Sequence, residues 1–359
     1  MSVYFHKLKI KTIKKETTDC VSVVFDVPTE LSSTFIYKEG QNLTIKKLIN
    51  GEEVRRSYSI CTAPHENELK IAVKKVEGGK LSSYMNDELT DNDILEVMPP
   101  TGKFNADLQL THQNHLAIAA GSGITPIISI IKHVLQQNNK AHFTLIYGSK
   151  NRPNIIFFEE LENLKNRFID RFTFINILSR EKTDAEIFYG RVDENKLHQL
   201  KKLVDFKNIN TAYLCGPESM IFTSRDFLKS EGVIEKNIHF ELFTAPGQSQ
   251  QQKNKIKNEE IVDVGPQSNI SIKLDGRTFS FPLAQNGNNI LDAALQVGAD
   301  LPYACKGGVC CTCRAKLLEG KVSMDVNYAL EQEEIEQGFI LTCQSHPTTE
   351  NVVIDFDVK

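Results

Sequence analysis

Cys305, Cys310 and Cys313 stand at C-x4-C-x2-C spacing in Cys305-Lys306-Gly307-Gly308-Val309-Cys310-Cys311-Thr312-Cys313, and Cys343 follows with 29 residues between it and Cys313. Four thiolates so spaced are the ligand set of a 2Fe-2S cluster. The two glycines allow a loop to curl around an inorganic core and let backbone N–H groups point at sulfur. Cys311, between two of these positions, reads as a spectator thiol. Disulfides account poorly for the pattern, because four cysteines within nine residues cannot all reach bridging geometry with one another. A zinc site could use Cys310 and Cys313 as one knuckle, but Cys343 has no second ligand two to four residues away.

A second kind of chemistry is written in glycine and hydroxyl residues. Gly121-Ser122-Gly123-Ile124-Thr125-Pro126 follows the apolar run Leu116-Ala117-Ile118-Ala119-Ala120. A strand that turns on glycine into a helix start can bind phosphate, through backbone approach and unpaired helical N–H groups; the same pattern also serves as a plain tight turn. No Asp or Glu follows the next strand at Tyr147-Gly148-Ser149-Lys150 to take a ribose hydroxyl. Ser179-Arg180 follows the third strand instead, and an Arg beside a hydroxyl suits a 2′-phosphate, which favours NADPH over NADH. A solvated Arg at a strand end is the alternative. Arg56, Tyr58 and their neighbours Ser57 and Ser59 lie on one strand, where residues two apart share a face. Arg there suits a pyrophosphate, Tyr a stacked ring and Ser a ring nitrogen. Gly78-Gly79-Lys80-Leu81-Ser82-Ser83 is a second glycine-opened helix start.

The elements that must position these residues change in type along the chain of 359 residues. Up to about residue 107, short β-branched strands recur, and Asn50-Gly51 predicts a type I′ hairpin turn; together these predict a small antiparallel barrel. From about 115, strands alternate with helices, with Pro126 placed to open the first helix. Expected there are strands at 143–147, 172–178, 212–215 and 238–243, and helices at 156–168, 195–204 and 218–228. This alternation predicts a doubly wound parallel sheet. The polar stretch from Pro246 reads as a linker. Asn289-Ile290-Leu291-Asp292-Ala293-Ala294-Leu295-Gln296-Val297-Gly298 predicts a short helix ending at a glycine, ahead of the cysteine loop. The expected division is 1–107, 108–245, a linker over 246–266, and 267–359.

Composition narrows the function. Hydrophobic residues make up 40% of the chain and charged residues 25%, as in ordinary globular protein. No apolar run has the length of a membrane span, and no signal-peptide core opens the chain. Eight cysteines, half of them in the cluster pattern, fit a reducing interior. These observations predict a cytoplasmic protein with no membrane or nucleic-acid partner. From Gln267 onward there are 12 acidic and 7 basic residues, while the whole chain carries −4. An acidic end beside a near-neutral remainder suits electrostatic docking of an electron-transfer partner; plain solvation, with Glu331, Glu333, Glu334 and Glu336, is the bland account.

The last 90 or so residues resemble the plant-type ferredoxins. Arg56–Ser59, Gly78–Ser83, Gly121–Pro126 and Cys215-Gly216-Pro217-Glu218-Ser219-Met220 occur in the order found in the ferredoxin–NADP reductase family, and that resemblance covers about residues 1–245. It implies an FAD-binding antiparallel β-barrel, a parallel-sheet NADP-binding domain and a C-terminal β-grasp ferredoxin. By that likeness Arg56 would hold the FAD pyrophosphate, Tyr58 would stack on the flavin and Ser59 would approach N5. Val73, Gly79, Leu81 and Ser82 would complete the flavin site. Gly121, Gly123, Thr125, Ser179, Arg180, Cys215 and Gly216 would bind the nucleotide, with Ser59 and Cys215 as the catalytic pair. Glu241 and Phe243 fall where that family often carries an acid or aromatic group near the flavin. Cys305, Cys310, Cys313 and Cys343 would hold the metal cluster. In the order reductase-then-ferredoxin, Arg56–Ser59, Val76-Glu77-Gly78-Gly79 and Ala304-Cys305-Lys306-Gly307-Gly308-Val309-Cys310 resemble the reductase subunits of phenylacetyl-coenzyme A epoxidase complexes, which implies a di-iron oxygenase as electron acceptor in phenylacetate degradation. Reductases of other multicomponent oxygenases share the order, so that acceptor stays open, and a non-enzymatic iron–sulfur electron carrier is the other class. The cofactors implied are NADPH, FAD and a 2Fe-2S cluster, with a hydride passed to the flavin and single electrons passed to the cluster.

Overall fold

The computed structural model describes residues 5–106, 113–243 and 265–358. They form two compact units: His6–Val54 with Tyr58–Phe243 make the larger, and Phe5, Arg55–Ser57 and the residues from 265 onward make the smaller. The boundary expected at 107/108 and nearly all of the 246–266 linker lie outside the described residues.

The larger unit begins with six antiparallel strands: β1 (His6–Thr17), β2 (Cys20–Asp26), β3 (Asn42–Ile49), β4 (Glu52–Ser59), β5 (Leu69–Lys74) and β6 (Ile94–Val97), in the order β4-β3-β6-β1-β2-β5. The chain leaving β4 bridges back to β5 at Ile60 and Ile71, which joins the two ends of the sheet and curls it closed. Asn50 (φ 51°) and Gly51 (φ 79°) turn β3 into β4 with both central residues left-handed, as the type I′ turn requires. Leu8, Ile10, Val23, Leu43, Ile45, Ile71, Val73 and Val97 fill the interior. β2 is buried on both faces because its Cys20, with Ala72 of the neighbouring β5, packs into a second core with Ile127 and Ile131. Helix α1 (Lys80–Asp87) lies beside β5.

The second sheet of that unit is parallel. Its strands β7 (Asn114–Ala120), β8 (His142–Ser149), β9 (Phe172–Leu178), β10 (Thr211–Gly216) and β11 (Ile238–Leu242) lie in the order β11-β10-β7-β8-β9. The order reverses between β7 and β10, the point at whose carboxyl ends open α/β sheets bind ligands. Helices α2 (Ile124–Gln137), α3 (Phe158–Arg167), α4 (Glu194–Leu200) and α5 (Glu218–Ser230) connect the strands. Helix α2 begins two residues before Pro126, because Gly121–Gly123 already forms a 3-10 turn that runs into it. Pro126 is tolerated at the third position since the first four helical N–H groups lack intrahelical partners anyway. Helix α3 starts later than expected because Phe157 takes a left-handed conformation (φ 62°).

The smaller unit has a mixed sheet of β12 (Gln267–Leu274), β13 (Arg277–Ala284), β14 (Arg314–Glu319), β16 (Phe339–Leu341) and β18 (Asn351–Asp355), ordered β13-β12-β18-β14-β16. β15 (Val322–Met324) and β17 (Ser345–Pro347) pair separately. Helix α6 (Ile290–Gln296) packs Ile290, Leu291 and Ala294 onto the core, the helix-on-sheet arrangement expected. Asn289 caps it by accepting from the Asp292 N–H, and Gly298 follows left-handed at φ 86°. Helix α7 (Gln332–Glu336) presents the acidic residues, but Glu334 is buried and paired with Arg314.

Candidate active site

The turn after β7 and the end of β10 meet at the point where the sheet order reverses. A Cβ on Gly123 would lie 2.1 Å from the Cys215 carbonyl oxygen and 2.9 Å from the Gly216 nitrogen, so only glycine fits. A Cβ on Gly216 would come within 3.2 Å of the Ala120 nitrogen. The turn is fastened from two sides: Tyr147 Oη donates to the Gly121 carbonyl (2.8 Å) and Thr125 Oγ1 to the Ser122 carbonyl (3.0 Å). The structure thus brings Gly121, Gly123, Thr125, Cys215 and Gly216 together, with the positive N-terminal end of α2 beside them.

Cys215 is wholly buried, and that burial, with Glu241 beside it, pushes its thiol well above the ordinary range. It is a neutral packing group here, not a thiolate nucleophile. Glu241 pairs in register with Cys215 across β10 and β11. Its Oε2 is sealed from solvent with no hydrogen-bond partner in the described structure, and burial pushes the carboxyl up to about 8. An orphaned neutral acid at this end of the sheet can donate a proton or a hydrogen bond to a bound group.

Ser179 and Arg180 follow β9, where their N–H groups donate to the Ser149 and Lys150 carbonyls at 2.9 and 2.8 Å. Arg180 is exposed, and no partner of its guanidinium is found among the described residues. It is placed to take an anion at the edge of the sheet, apart from the β7–β10 turn. On β4, Arg56 and Tyr58 share a face; Arg56 donates to the Arg55 carbonyl (2.7 Å), and Tyr58 packs against the barrel core. Ser59 ends the strand buried. Gly79 caps α1, where a Cβ would stand 2.5 Å from Ser82 Oγ. Ser82 Oγ in turn accepts from the Val76 N–H (3.1 Å) and donates to the Gly79 carbonyl (3.3 Å), fixing the helix start. Val73 and Leu81 are buried in the barrel core, so their side chains have no surface to offer a ligand; only their backbone could take part, and the Val73 carbonyl already accepts from Asn86.

In the smaller unit the four thiols converge. Cys305 is within hydrogen-bonding reach of both Cys310 and Cys343, and Cys343 of Cys313; none of the eight cysteines is in a disulfide. Among the described residues no three His, Cys, Asp or Glu side chains surround a single metal ion. A two-iron cluster needs no such point, since each iron takes two thiolates, and the donor set fits it. The Gly307 N–H points at Cys305 Sγ (3.3 Å), while the left-handed positions fall on Lys306, Gly308 and Cys311. Cys311 turns away and donates its thiol to the Ala329 carbonyl (2.9 Å), as a spectator would.

Comparison with known proteins bears on each of the three larger sheets. The chain matches an oxidoreductase FAD-binding domain over residues 7–106, an oxidoreductase NAD-binding domain over 117–226 and a 2Fe-2S iron-sulfur cluster binding domain over 272–348. It is 41% identical over 357 residues to one of the subunits of 1,2-phenylacetyl-CoA epoxidase from Escherichia coli K12, covering 99% of this chain and 98% of that one. It is 32% identical to the ferredoxin reductase component of 3-ketosteroid-9-alpha-monooxygenase from Rhodococcus rhodochrous, covering 97% and 96%. The chain belongs to the flavin and 2Fe-2S reductases of multicomponent oxygenases. The solved structure of phthalate dioxygenase reductase shares the fold, with a TM-score of 0.58 at 23% identity over 98% of both chains.

In such a reductase, electrons pass from NAD(P)H through FAD to the iron–sulfur centre. Three residues of this one escaped sequence reasoning. Lys74, at the end of β5, brings Nζ to 3.8 Å from where a Gly121 Cβ would be and pairs with Asp19 (3.6 Å). It sets a cation over the glycine turn from another sheet, which no local pattern could reveal. Gln344 donates to the Lys306 carbonyl (3.0 Å) and approaches Cys343 Sγ (3.5 Å). Thr342 donates to the Cys313 carbonyl from its N–H (3.2 Å) and hydroxyl (3.0 Å). Both flank the fourth cysteine, and that adjacency was the available signal.

Two outcomes follow for this reductase. Gly123→Ala must push backbone aside, at a cost of about 1–3 kcal/mol. Nucleotide affinity should fall about tenfold or more while the cluster absorbance is kept; unchanged affinity in titrations would rule out the cradle. For Glu241 the folded pKa of about 8 lies above the ordinary value of 4.5. The folded state therefore holds the proton more tightly, a contribution fully present below about pH 4.5 and lost as pH rises through about 8. Urea unfolding at a series of pH values should show stability falling across that window, and Glu241→Gln should flatten the slope. Parallel wild-type and variant profiles would refute the assignment.

Proposed function

We propose that this reductase draws its electrons from NADPH and delivers them, in the cytoplasm, to the di-iron oxygenase of a phenylacetyl-coenzyme A epoxidase system. The observation that carries the acceptor is identity of 41% along nearly the whole chain to a component of a 1,2-phenylacetyl-CoA epoxidase. NADPH preference is supported by Ser179 and exposed Arg180 after β9, with Lys150 and no acid after β8. In this reading the expected divisions, 1–107 for FAD, 108–245 for the nucleotide and 267–359 for the cluster, each hold one cofactor.

Arg56 and the start of α1 at Gly79 and Ser82 hold the FAD pyrophosphate, Tyr58 backs the ring, and Ser59 hydrogen-bonds its edge. Gly121 and Gly123 admit the NADPH pyrophosphate to the α2 N-terminus, Lys74 adds a cation there, and Ser179 and Arg180 take the 2′-phosphate. Gly216 and the neutral Cys215 thiol leave a flat, uncharged floor for the nicotinamide, with Thr125 at its edge. Cys305, Cys310, Cys313 and Cys343 hold the cluster. When bound, the flavin converts a two-electron hydride into single electrons that the cluster can pass on.

Arg180→Ala should raise the KM for NADPH about tenfold or more, since a charge-assisted hydrogen bond contributes about 1.5–3 kcal/mol, and leave that for NADH nearly unchanged. Equal losses with both nucleotides would remove the case for NADPH. Cys313→Ser should keep NADPH oxidation by ferricyanide, which can take electrons from the flavin directly, and nearly abolish turnover of the epoxidase oxygenase. If that variant sustains oxygenase turnover at the wild-type rate, the cluster is not the relay.

A further inference from the structure

Helix α2 carries the nucleotide turn at its start, and one stripe along its length is polar and buried. Thr125, Ser129 and Lys132 stand at i, i+4 and i+7, one face of a helix, and none of the three is more than 5% exposed. A polar stripe there has to be satisfied by specific partners, because unpaired buried polar groups are costly. Ser129 Oγ donates to the Thr62 carbonyl (2.6 Å), and Lys132 Nζ donates to the Cys61 carbonyl (3.2 Å). Cys61 and Thr62 are the second and third residues after Ser59, on the chain leaving the strand of Arg56 and Tyr58. Lys132 also reaches both oxygens of Glu66 (3.2 and 3.1 Å) and pairs with Glu160 of α3. Glu66 completes the clamp by accepting from the Ala63 N–H (2.6 Å).

We propose that Lys132, with Ser129, is a positioning residue that holds the nicotinamide turn in register with the flavin strand. The inference rests on the assignment of Arg56–Ser59 to flavin and Gly121–Thr125 to nucleotide. Ser129 lies one turn beyond Thr125, about 6 Å along the helix axis, and Lys132 nearly one turn further. The helix is therefore pinned to the exit of one cofactor strand within two turns of the other cofactor's turn. Apolar packing between the sheets would allow sliding; hydrogen bonds to two successive carbonyls define one register. Hydride transfer is steeply sensitive to such placement, since a misplacement of about 1 Å can cost about a hundredfold in rate. Lys132 touches no reacting atom, and its effect is on geometry alone.

The test uses the full-length holoprotein. Lys132→Met keeps the length of the stem and removes all the Nζ bonds, while Glu66 and Glu160, each about a third exposed, can turn to water. In single-turnover experiments at saturating NADPH, flavin reduction should slow about tenfold to a hundredfold. Flavin and iron content per chain and the dissociation constant for NADP+ should stay within about twofold of wild type. In nucleotide-free protein, amide exchange should quicken at residues 61–66 and not in the smaller unit. Lys132→Arg, which keeps a buried cation, should recover most of the rate. Ser129→Ala should show a weaker form of the same pattern and replaces Lys132→Met should that variant not fold. A folded Lys132→Met protein that reduces its flavin at the wild-type rate overturns the inference. So does a loss of rate that merely follows lost flavin or nucleotide affinity. A wild-type protein that holds no flavin or does not oxidise NADPH would instead defeat the underlying assignment, and that is read before any variant.

Discussion

Two backbones pass so closely at Gly123 and Cys215–Gly216 that no side chain can come between them. That approach is the constraint from which the nucleotide half takes its form. β7 and β10 must be neighbours although two strands and three helices separate them in the chain. The sheet order must then reverse between them, leaving a cleft at their carboxyl ends. The two helices that follow, α2 and α5, begin at that cleft with their positive ends toward it. A larger residue at either glycine would part the strands and take the helix starts with them.

Burial then decides the charge of each group near the cleft. Cys215 and Glu241 lie side by side, with no cation against them among the described residues, and both are driven to their neutral forms. Lys132 is buried too, but two carboxylates and a carbonyl surround it. The same low dielectric therefore yields an uncharged floor at the cleft and an ionic clamp behind it. The clamp adds little stability for its cost in desolvation, since a buried ion pair is seldom better than apolar packing. Its worth is that it accepts one arrangement of partners.

How much of this is legible in the sequence depends on the range of the interaction. Asn50-Gly51 announces its turn because the cause is local, two residues that tolerate positive φ; Asp275-Gly276, with φ of 51° and 71° between β12 and β13, carries the same signal. The cysteine spacing is legible because a cluster of fixed size dictates it. Pro126 misleads as a helix start because Gly121–Gly123 reads as a break when it is already a helical turn. Val73 and Leu81 fall at ligand positions by likeness of motif, and motif position does not say that both side chains, one on β5 and one on α1, turn into the barrel core. Lys74 and the Ser129–Lys132 stripe are invisible for a further reason. A serine and a lysine on a helix read as solvent-facing until the fold sets a carbonyl opposite each.

The cysteine loop shows strain put to use. Lys306 and Cys311 hold left-handed conformations at φ 51° and 47°, which cost non-glycine residues about 1–3 kcal/mol each unless their surroundings enforce them. Here they are enforced: Gln344 grips the Lys306 carbonyl, Cys311 is anchored to Ala329, and Tyr328 donates to Gly308. Thr342 ties the Cys313 strand to the Cys343 turn, and α6 joins through the bond from the Leu291 N–H to Thr342. The loop that carries the four cysteines is thus held by hydrogen bonds of the protein itself. N–H groups directed at sulfur favour the added negative charge of a reduced cluster, which is how such a loop sets its potential. A rigid ligand frame also changes little on gaining one electron, and a relay between a flavin and an external acceptor works best when neither transfer has to move the protein.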